Sequence, residues 1–497
     1  MTNDVIAAIA TAPATGAIGV VRLSGRLAVD VFTKMFQPAG KQHGNFESHR
    51  MYYGRIINAA GDTVDEVMAC CMRAPRSFTR EDVVEIYGHG GIFVLRAVLD
   101  TAIACGARLA EPGEFTKRAF LNGRINLAEA EAVMDIIHAH SESARRAGLR
   151  QLGGGLSRRI EGLQDKILTW IAHIELSIDY PEHEEEAQNA KEILSQGHQV
   201  IAEMEALKAT ANVGRILREG VKTAIIGRPN VGKSTLLNAM LSEDRAIVHE
   251  TAGTTRDVLT EQVVAGDVHL VLMDTAGIRS TADPIEQIGV EKSLAVADAA
   301  ELVLYVIDGQ AGFPQNYSAD NSTDIPEALT DEMSQTFSHT FLLKEDMDIL
   351  EGILHKHVII LLNKSDLFNQ TAAQNAVPMP RQLSDHTHDK FPAIKISAQT
   401  GQGLDELYQK INDIFLSSNI GSTDAEQDIL TRERHRILID NAIRHVATAM
   451  QEIRNGTPED LVSINLRTAY AALNEILGRE IADDIADKIF AEFCLGK

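Results

Sequence analysis

One short stretch constrains the fold of this chain more than any other, because it fits the phosphate-binding pattern G-x-x-x-x-G-K-[ST]. It runs from Gly227 to Ser234, after an apolar run at 223–226 and before a helix-like run at 235–240. A strand, a glycine-rich loop and a helix in that order let backbone N–H groups close on phosphate oxygens. The pattern predicts that Lys233 reaches the β and γ phosphates of a nucleotide and that Ser234 holds Mg²⁺.

Two later motifs predict that this nucleotide is GTP. Apolar runs at 268–273, 303–307 and 358–362 indicate buried strands, and the first and the last of them lead into polar motifs. In Asp274-Thr275-Ala276-Gly277 the aspartate can hold the Mg²⁺ shell, and the glycine N–H can sense the γ-phosphate. In Asn363-Lys364-Ser365-Asp366 the last carboxylate can accept from two edge N–H groups that guanine has and adenine lacks. We expect Ser397 and Ala398 to support the base.

The loop between these motifs predicts the remaining Mg²⁺ ligand and leaves one role open. A threonine of Gly253-Thr254-Thr255-Arg256-Asp257 can complete the Mg²⁺ shell when GTP is bound. Ile278 stands where many GTPases carry the glutamine that orients the attacking water. Isoleucine cannot do this, so hydrolysis must use another group, another ion or a second molecule.

The way apolar runs and helical periodicity alternate along the chain predicts a multidomain protein. Residues 1–122 mix short apolar runs (5–10, 17–23, 50–57, 66–72 and 82–87) with a turn at 88–91 and a helix at 92–105, which indicates an α+β domain. Residues 123–219 and 420–497 show helical periodicity, with a break at Gly153 to Gly155 and a last helix at about 481–493. We expect Trp170 to pack in the core, and the helix that starts at the acidic run 182–186 to continue to about Arg218. The α/β nucleotide domain at 220–419 lies between these two helical ranges, so we predict one all-α domain with an inserted P-loop GTPase domain.

Composition excludes several classes of protein. The net charge of −23 over 497 residues argues against a chain that coats nucleic acid electrostatically, although a local basic face can still bind RNA. The four cysteines form no C-x-x-C pair, so neither a zinc site nor a disulfide framework is indicated. The N-terminus lacks a basic signal-peptide region, and no apolar run approaches the roughly 20 residues of a membrane span. We expect a reducing, cytoplasmic location.

Several polar features allow two interpretations. His89, among glycines, could be a ligand or catalytic group, but we favour a role in the turn. The acidic run from Glu182 to Glu186 resembles metal-ligand chemistry, but fits an acidic first helical turn better. A basic cluster comprises Arg145, Arg146, Arg150, Arg158 and Arg159. It could contact phosphates, but we favour a solvated helix face. The polar stretch 309–357 is longer than a crossover needs and suggests a surface elaboration.

Over its whole length the chain resembles the tRNA-modification GTPase family MnmE, also called TrmE. The resemblance rests on Phe78–Glu85 (FTREDVVE), Gly88–Gly91 (GHGG), Pro112–Gly123 (PGEFTKRAFLNG), Gly253–Asp257 (GTTRD) and Phe493–Lys497 (FCLGK). It implies a folate-binding N-terminal domain that pairs two copies into a homodimer, a helical domain and an inserted G domain. It also implies a flavoprotein partner, MnmG (GidA), with which a carboxymethylaminomethyl group is added to C5 of the wobble uridine of certain tRNAs. The one-carbon unit comes from a tetrahydrofolate derivative.

The resemblance also implies site residues. Arg22, Glu85, Arg124 and the terminal Lys497 match the folate contacts, and Glu286 matches the group that helps orient water. Asn230 and the loop from His249 to Thr255 match a K⁺ cradle, although His249 stands where a small hydroxyl residue is expected. For catalysis we therefore predict Glu286, Lys233 and Asn230, and for the metal ions Ser234, Thr255, Asn230, His249, Thr251 and Thr254. The predicted nucleotide contacts are Asn230, Val231, Gly232, Lys233, Ser234, Thr235, His249, Glu250, Thr251, Ala252, Gly253, Thr254, Thr255, Asp274, Thr275, Ala276, Gly277, Asn363, Lys364, Ser365, Asp366, Ser397 and Ala398.

Two alternatives stay open from the residues. Cys494, close to the implied folate contacts, could be a nucleophile, although we favour a small apolar residue that packs the last helix. The chain could also be a ribosome-assembly GTPase of the Era or Der kind. Against this, no second phosphate-binding loop is present, and no G-x-x-G flanked by basic residues follows the G domain.

Overall fold

The computed structural model describes residues 4–12, 14–40, 46–179, 186–242, 261–273, 289–309, 349–350, 352–353, 355–367, 392–417, 428–479, 483–491, 493 and 496. The chain divides into two compact units. The first comprises Met1–Ile137, Gly148–Lys208 and Arg434–Lys497, and the second His138–Ala147 and Ala209–Glu433. The proposed domain boundaries at 122, 219 and 419 stay a prediction.

The first unit contains a seven-stranded sheet with strand order β3-β4-β5-β6-β2-β1-β7. Its strands are β1 (Val5–Ile9), β2 (Gly16–Ser24), β3 (Phe36–Pro38), β4 (Arg50–Ile57), β5 (Thr63–Met72), β6 (Val83–Gly90) and β7 (Ala107–Leu109). Alternation along β4 buries Tyr52 and Ile56 and exposes Tyr53 and Arg55, as expected for a sheet with one covered face. The helices α1 (Ala28–Met35) and α2 (Ile92–Ala104) contribute to the core of the buried face.

One predicted turn is part of a strand. The sequence predicts a turn at 88–91, but β6 continues to Gly90 because β2 pairs with it, Gly16 lying opposite Gly90. A side chain at Gly90 would place its Cβ 2.4 Å from the carbonyl oxygen of Gly16, so the close strand approach itself requires glycine. Tertiary pairing therefore overrides the local glycine signal here.

The rest of the first unit is helical. The helices are α3 (Glu114–Leu121), α4 (Leu127–Ile137), α5 (Glu142–Leu152, which the second unit shares), α6 (Gly155–Asp179), α7 (Glu186–Ala209), α12 (Glu433–Arg454), α13 (Glu459–Leu477) and α14 (Asp483–Ala491). The break at Gly153 to Gly155 is confirmed, and Trp170 of α6 is buried in the core as predicted. The helix expected to run to about Arg218 instead ends at Ala209, before α8 (Ala211–Glu219).

The second unit is built on a six-stranded sheet with order β13-β12-β11-β8-β10-β9. Its strands are β8 (Val221–Ile226), β9 (Glu261–Ala265), β10 (Val268–Leu272), β11 (Leu302–Asp308), β12 (His357–Asn363) and β13 (Ala393–Lys395). All neighbours are parallel except β9 and β10. The helices α9 (Lys233–Ser242), α10 (Gly289–Ala299) and α11 (Leu404–Asn412) belong to this unit. A mostly parallel sheet places the carboxyl ends of β8, β11 and β12 at one edge, where ligands bind in open α/β sheets.

None of the helices in the described ranges is both long and apolar enough to span a bilayer.

Candidate functional site: a GTP site and a cationic pocket

The phosphate-binding loop lies where the sequence places it, between β8 and α9. Its backbone has positive φ angles at Gly227 (149°), Asn230 (62°) and Gly232 (98°). A Cβ at Gly227 would lie 2.2 Å from the carbonyl oxygen of Val306, and one at Gly232 would lie 2.2 Å from Asn363 Nδ2. Both glycines are therefore required by close approach as well as by φ.

Lys233 begins α9, and its side chain folds back over the loop. Its Nζ donates to the carbonyl oxygens of Gly227 and Arg228, each at 2.8 Å. The ammonium is thus held above the loop, where it can meet the β and γ phosphates of a nucleotide. Val231, Ser234 and Thr235 complete the described part of the loop and the first turn of α9.

Asn363, at the end of β12, connects the loop to the base-recognition motif. Its Nδ2 donates to the carbonyl oxygen of Val231 at 2.8 Å, and its Oδ1 accepts from the N–H of Ala398 at 2.9 Å. Lys364 makes a parallel connection, since its Nζ donates to the carbonyl oxygen of Asn230 at 3.1 Å. Two motifs far apart in sequence therefore form one site.

The predicted guanine contacts are brought together. Ser397 Oγ donates to Asp366 Oδ1 at 2.6 Å, and the N–H of Ser365 donates to the carbonyl oxygen of Ile396 at 3.0 Å. These bonds orient the Asp366 carboxylate while its other oxygen stays available for the N–H groups of a base. Ser397 is fully buried and Ala398 nearly so, which makes the loop a rigid support.

Sequence reasoning missed one participant of this site. Asp308 ends β11, and its Oδ2 lies 2.6 Å from Lys364 Nζ. The ion pair holds Lys364, whose backbone is left-handed (φ 65°), in place. An aspartate at the carboxyl end of a predicted parallel strand was the available signal.

A second group of predicted residues meets on the sheet of the first unit. We call it the cationic pocket; its described residues are Arg22, Phe78, Glu85, Tyr87 and Arg124. Arg22 of β2 and Glu85 of β6 lie opposite each other, and Arg22 Nη2 is 2.8 Å from Glu85 Oε1. Tyr87 Oη donates to the other oxygen of Glu85. Burial, followed by this hydrogen bond to Glu85, raises the pKa of Tyr87 above its usual range. The phenol therefore stays protonated and fixes the carboxylate.

Phe78 joins Arg124 to this group, which the sequence did not reveal. The Cζ atom of Arg124 lies 4.9 Å from the centroid of the Phe78 ring, and that of Arg22 lies 5.8 Å from it. Arg124 Nη1 also donates to the carbonyl oxygen of Ser77 at 3.0 Å. Burial and the nearby Arg80 charge lower the pKa of Arg124, although a guanidinium stays charged.

The C-terminal tail reaches the same pocket. Arg22 Nη1 lies 3.5 Å from the carbonyl oxygen of Gly496. Gly496 has φ 88°, and a Cβ there would lie 2.4 Å from the carbonyl oxygen of Ile9 in β1. Gly496 therefore packs against the sheet of the first unit, whereas the grouping of Arg22 and Arg124 with Lys497 stays a prediction, because Lys497 lies outside the described residues.

The remaining predicted residues lie outside the described ranges. They are His249, Glu250, Thr251, Ala252, Gly253, Thr254, Thr255, Asp274, Thr275, Ala276, Gly277, Glu286, Cys494 and Lys497. The same holds for Glu182, His183, Glu184 and Glu185, and for most of 309–357.

Two of the open polar features have ordinary partners. His89 Nδ1 lies 2.7 Å from Asp65 Oδ1, and the N–H of His89 donates to Asp65 Oδ2 at 2.9 Å. Arg145 and Arg146 both pair with Glu142 on an exposed helix face, at 2.7 and 2.9 Å. These contacts fit a structural role for His89 and a solvated face for that part of the basic cluster.

Family models and curated relatives match most or all of the chain. A family model described as "GTP-binding protein TrmE N-terminus" matches residues 5–124, and one described as "MnmE helical domain" matches residues 127–494. The chain belongs to the MnmE (TrmE) family. Curated MnmE relatives named "tRNA modification GTPase MnmE" are similar over their full length. That of Desulforamulus reducens is 40% identical over 100% of both chains, and that of Geobacillus thermodenitrificans 43% over 99% of both.

Among solved structures, a probable GTP-binding protein engB is 16% identical and covers 39% of this MnmE-family chain and 98% of its own. Its TM-score is 0.22, a superposition too loose to carry an argument.

Proposed function

We propose that this chain hydrolyses GTP in the course of tRNA modification. The observation that carries the proposal is the joining of the phosphate-binding loop to the guanine motif through Asn363, in a chain whose relatives are tRNA modification GTPases. With a flavoprotein partner, MnmG (GidA), it adds a carboxymethylaminomethyl group to C5 of the wobble uridine. The Era or Der alternative is not favoured, since full-length relatives carry the MnmE name.

The residues of the GTP site have distinct roles in this proposal. Lys233 neutralises charge on the β and γ phosphates, and Asp366 selects guanine. Mg²⁺, held by Ser234 and Thr255, and K⁺, held by Asn230 with His249, Thr251 and Thr254, supply positive charge where the transition state develops negative charge. Asn230 suits such a role because it lies within the phosphate-binding loop, beside the phosphates, and its left-handed backbone (φ 62°) is part of the loop's conformation. Glu286 orients the water in place of the missing glutamine.

The cationic pocket of the first unit is proposed as the folate site. Arg22 and Arg124 both lie close to the Phe78 ring, and Gly496, the residue before Lys497 in the sequence, lies against Arg22. Cations of this kind can pair with the glutamate tail of a tetrahydrofolate derivative, and the aromatic ring can pack against its flat ring system. We further propose a homodimer paired through the N-terminal domains, and a cytoplasmic location.

The nucleoside profile of wobble uridines tests the function. Cells lacking the protein should lose the C5 carboxymethylaminomethyl modification, and the native gene should restore it. Lys233→Ala should fail to restore it, because phosphate binding is lost. An intact wobble profile together with a ribosomal-subunit defect would instead support the ribosome-assembly alternative and overturn the proposal.

A further inference from the structure

An open cleft on the first unit is lined by residues other than those of the cationic pocket, although its loop continues into Ser77 and Phe78, and it has no role so far. It has a volume of about 520 Å³ and forms where β4 begins and β5 ends. The N–H of His49 donates to the carbonyl oxygen of Cys71 at 2.8 Å and so joins its two walls. We name it the arginine cleft; its lining consists of Ser48, His49, Arg73, Ala74, Pro75 and Arg76.

The cleft carries more positive than negative charge. Arg73 Nη1 pairs with Asp82 Oδ2 at 2.6 Å, and Asp82 Oδ1 accepts from the N–H of Ala74 at 2.9 Å. Asp82 is thus largely engaged in holding the loop. Arg76 is exposed and has no ion pair with any residue in the described part of the chain. Its charge therefore faces solvent uncompensated.

The positive region continues along the loop 73–82. Arg80 Nη1 donates to the carbonyl oxygen of Asn122 at 3.0 Å and makes no ion pair among the described residues. The loop's other acid, Glu81, instead pairs with the buried Arg118 at 3.2 Å. In a chain of net charge −23, such a cluster is where a polyanion can approach without general repulsion.

The backbone around the cleft is held in an uncommon conformation. Four non-glycine residues of the described chain have left-handed backbone: His49 (φ 62°), Arg80 (φ 58°), Asn230 and Lys364. The last two belong to the GTP site, whereas Arg80 lies in the loop 73–82 and His49 lines the cleft. Left-handed backbone is strained for residues other than glycine, and conformations of this kind cluster at functional sites. The buried Thr79, whose hydroxyl lies 2.6 Å from Ser24 Oγ, anchors the loop against this strain.

We propose that the arginine cleft binds the phosphodiester backbone of the tRNA substrate. The proposal rests on the proposed function and names a surface by which this chain holds its RNA. Guanidinium groups match phosphate oxygens through two parallel N–H donors, and Ser48 and His49 add further polar atoms. The lining contains no phenylalanine, tyrosine or tryptophan ring, and its one imidazole, that of His49, lies 2.8 Å from Ser48 Oγ through Nδ1, so we expect the contact to position the RNA rather than to read its sequence.

Salt-dependent tRNA binding by the full-length chain tests this proposal. Arg76→Gln should weaken binding about three- to tenfold, and the double variant with Arg73→Gln should weaken it further. The plot of log K against log salt concentration should become shallower by about one per arginine removed. The matched control is Arg55→Gln, an exposed arginine of β4 paired with Glu66, which should change neither affinity nor slope.

The outcomes separate this proposal from the proposed function. GTP hydrolysis without tRNA should be unchanged in Arg76→Gln, which also reports that the chain is folded. If the slope of log K against log salt concentration is unchanged in Arg76→Gln, the proposal for the arginine cleft is overturned, even if the wobble-uridine profile confirms the function. The proposal is also overturned if the native protein binds tRNA neither alone nor with the flavoprotein. Binding of inorganic phosphate that depends on Arg76, with tRNA binding unaffected, would mean a small-anion site and overturn it as well.

Discussion

At the scale of single residues, the amide of Asn363 determines whether the GTP site is one structure. The residue is 2% exposed, and its two amide atoms bond to backbone groups of different loops. A serine or threonine hydroxyl also donates and accepts, but through one oxygen, whereas the asparagine amide places its donor and its acceptor on two separate atoms. The asparagine of this motif is therefore needed for the architecture of the site before any nucleotide is bound.

Replacing Asn363 by alanine should damage both stability and nucleotide binding. The change leaves the carbonyl of Val231 and the N–H of Ala398 without their partner, at about 1–3 kcal/mol for each buried group. We expect a lower unfolding midpoint and at least about tenfold weaker binding of a fluorescent GTP analogue. Gln399→Ala, an exposed change in the same loop, is the control. Equal affinities for the two variants would contradict this role.

His269 of β10 makes the second unit sensitive to acid. It is 4% exposed, neither ring nitrogen has a hydrogen-bond partner among the described residues, and its ring stacks on that of His140 at 4.2 Å. Burial, and then the charge on His140, lower the pKa of His269 from 6.5 to about 4. Below pH 6.5 the unfolded chain gains a proton that the folded chain does not bind until about pH 4. Stability is therefore present above pH 6.5 and lost as the pH falls.

The free energy of unfolding should fall by about 2 kcal/mol between pH 7 and pH 5 through His269 alone. His269→Phe keeps an aromatic ring against His140 but cannot be protonated. Thermal unfolding of both proteins across this pH range measures the difference, and the variant should lose that part of the acid dependence. Parallel curves for native and variant protein would show that His269 does not contribute.

At the scale of elements, the packing of α14 against α3 and α4 holds the C-terminal tail in place. Its Phe490 is 1% exposed and joins Phe493, Leu127, Ala130 and Met134 in one apolar cluster. Lys117 of α3 pairs with Asp487 of α14. A Cβ at Gly113, just before α3, would lie 2.4 Å from the carbonyl oxygen of Phe490, so the two helices meet at backbone distance. Burial of this kind holds the tail far more strongly than an exposed ion pair does.

Phe490→Ala should release α14 from α3. Removing a buried phenylalanine costs about 3–5 kcal/mol, which is comparable with the stability of a short docked helix. Amide hydrogen exchange along α14 and the first turn of α3 should accelerate, while α9 in the other unit keeps its protection. Lys488→Ala, an exposed change on the same helix, should leave exchange unaltered. Protection retained in Phe490→Ala would mean that other contacts hold the tail.

At the scale of the whole molecule, the two ends of the sequence belong to one pocket. The carbonyl of Gly496 lies against Arg22, and Gly496 packs against Ile9. Deleting Leu495 to Lys497 should therefore weaken binding of a tetrahydrofolate derivative and abolish tRNA modification, while GTP binding stays intact. Equilibrium titrations with both ligands measure this. Undiminished folate affinity after the deletion would exclude the tail from the site.

The last prediction concerns Ile278, which stands where many GTPases carry the glutamine that orients the attacking water. If K⁺ supplies charge beside Asn230, hydrolysis should be much faster in KCl than in NaCl at matched ionic strength, and Asn230→Ala should remove that preference. Glu286→Ala should slow hydrolysis while GTP still binds. We expect two facing G domains to complete the proposed K⁺ site, so the rate per chain should also rise with protein concentration. Equal rates in both salts would rule the K⁺ mechanism out.

The sequence by itself determined the parts of this protein whose chemistry is local. The phosphate-binding loop, the buried strands of the second unit and β4 at Arg50–Ile57 lie where spacing and periodicity predicted them, because glycine conformations and side-chain alternation act over a few residues. Tertiary structure decided what depends on partners distant in the chain. It extended β6 through a predicted turn, added the edge strands β9 and β13, and brought both Arg22 and Arg124 close to the ring of Phe78. Such contacts exist only once sheets and helices have packed, since no local preference of Asn363 or Gly496 specifies which distant backbone group it will meet.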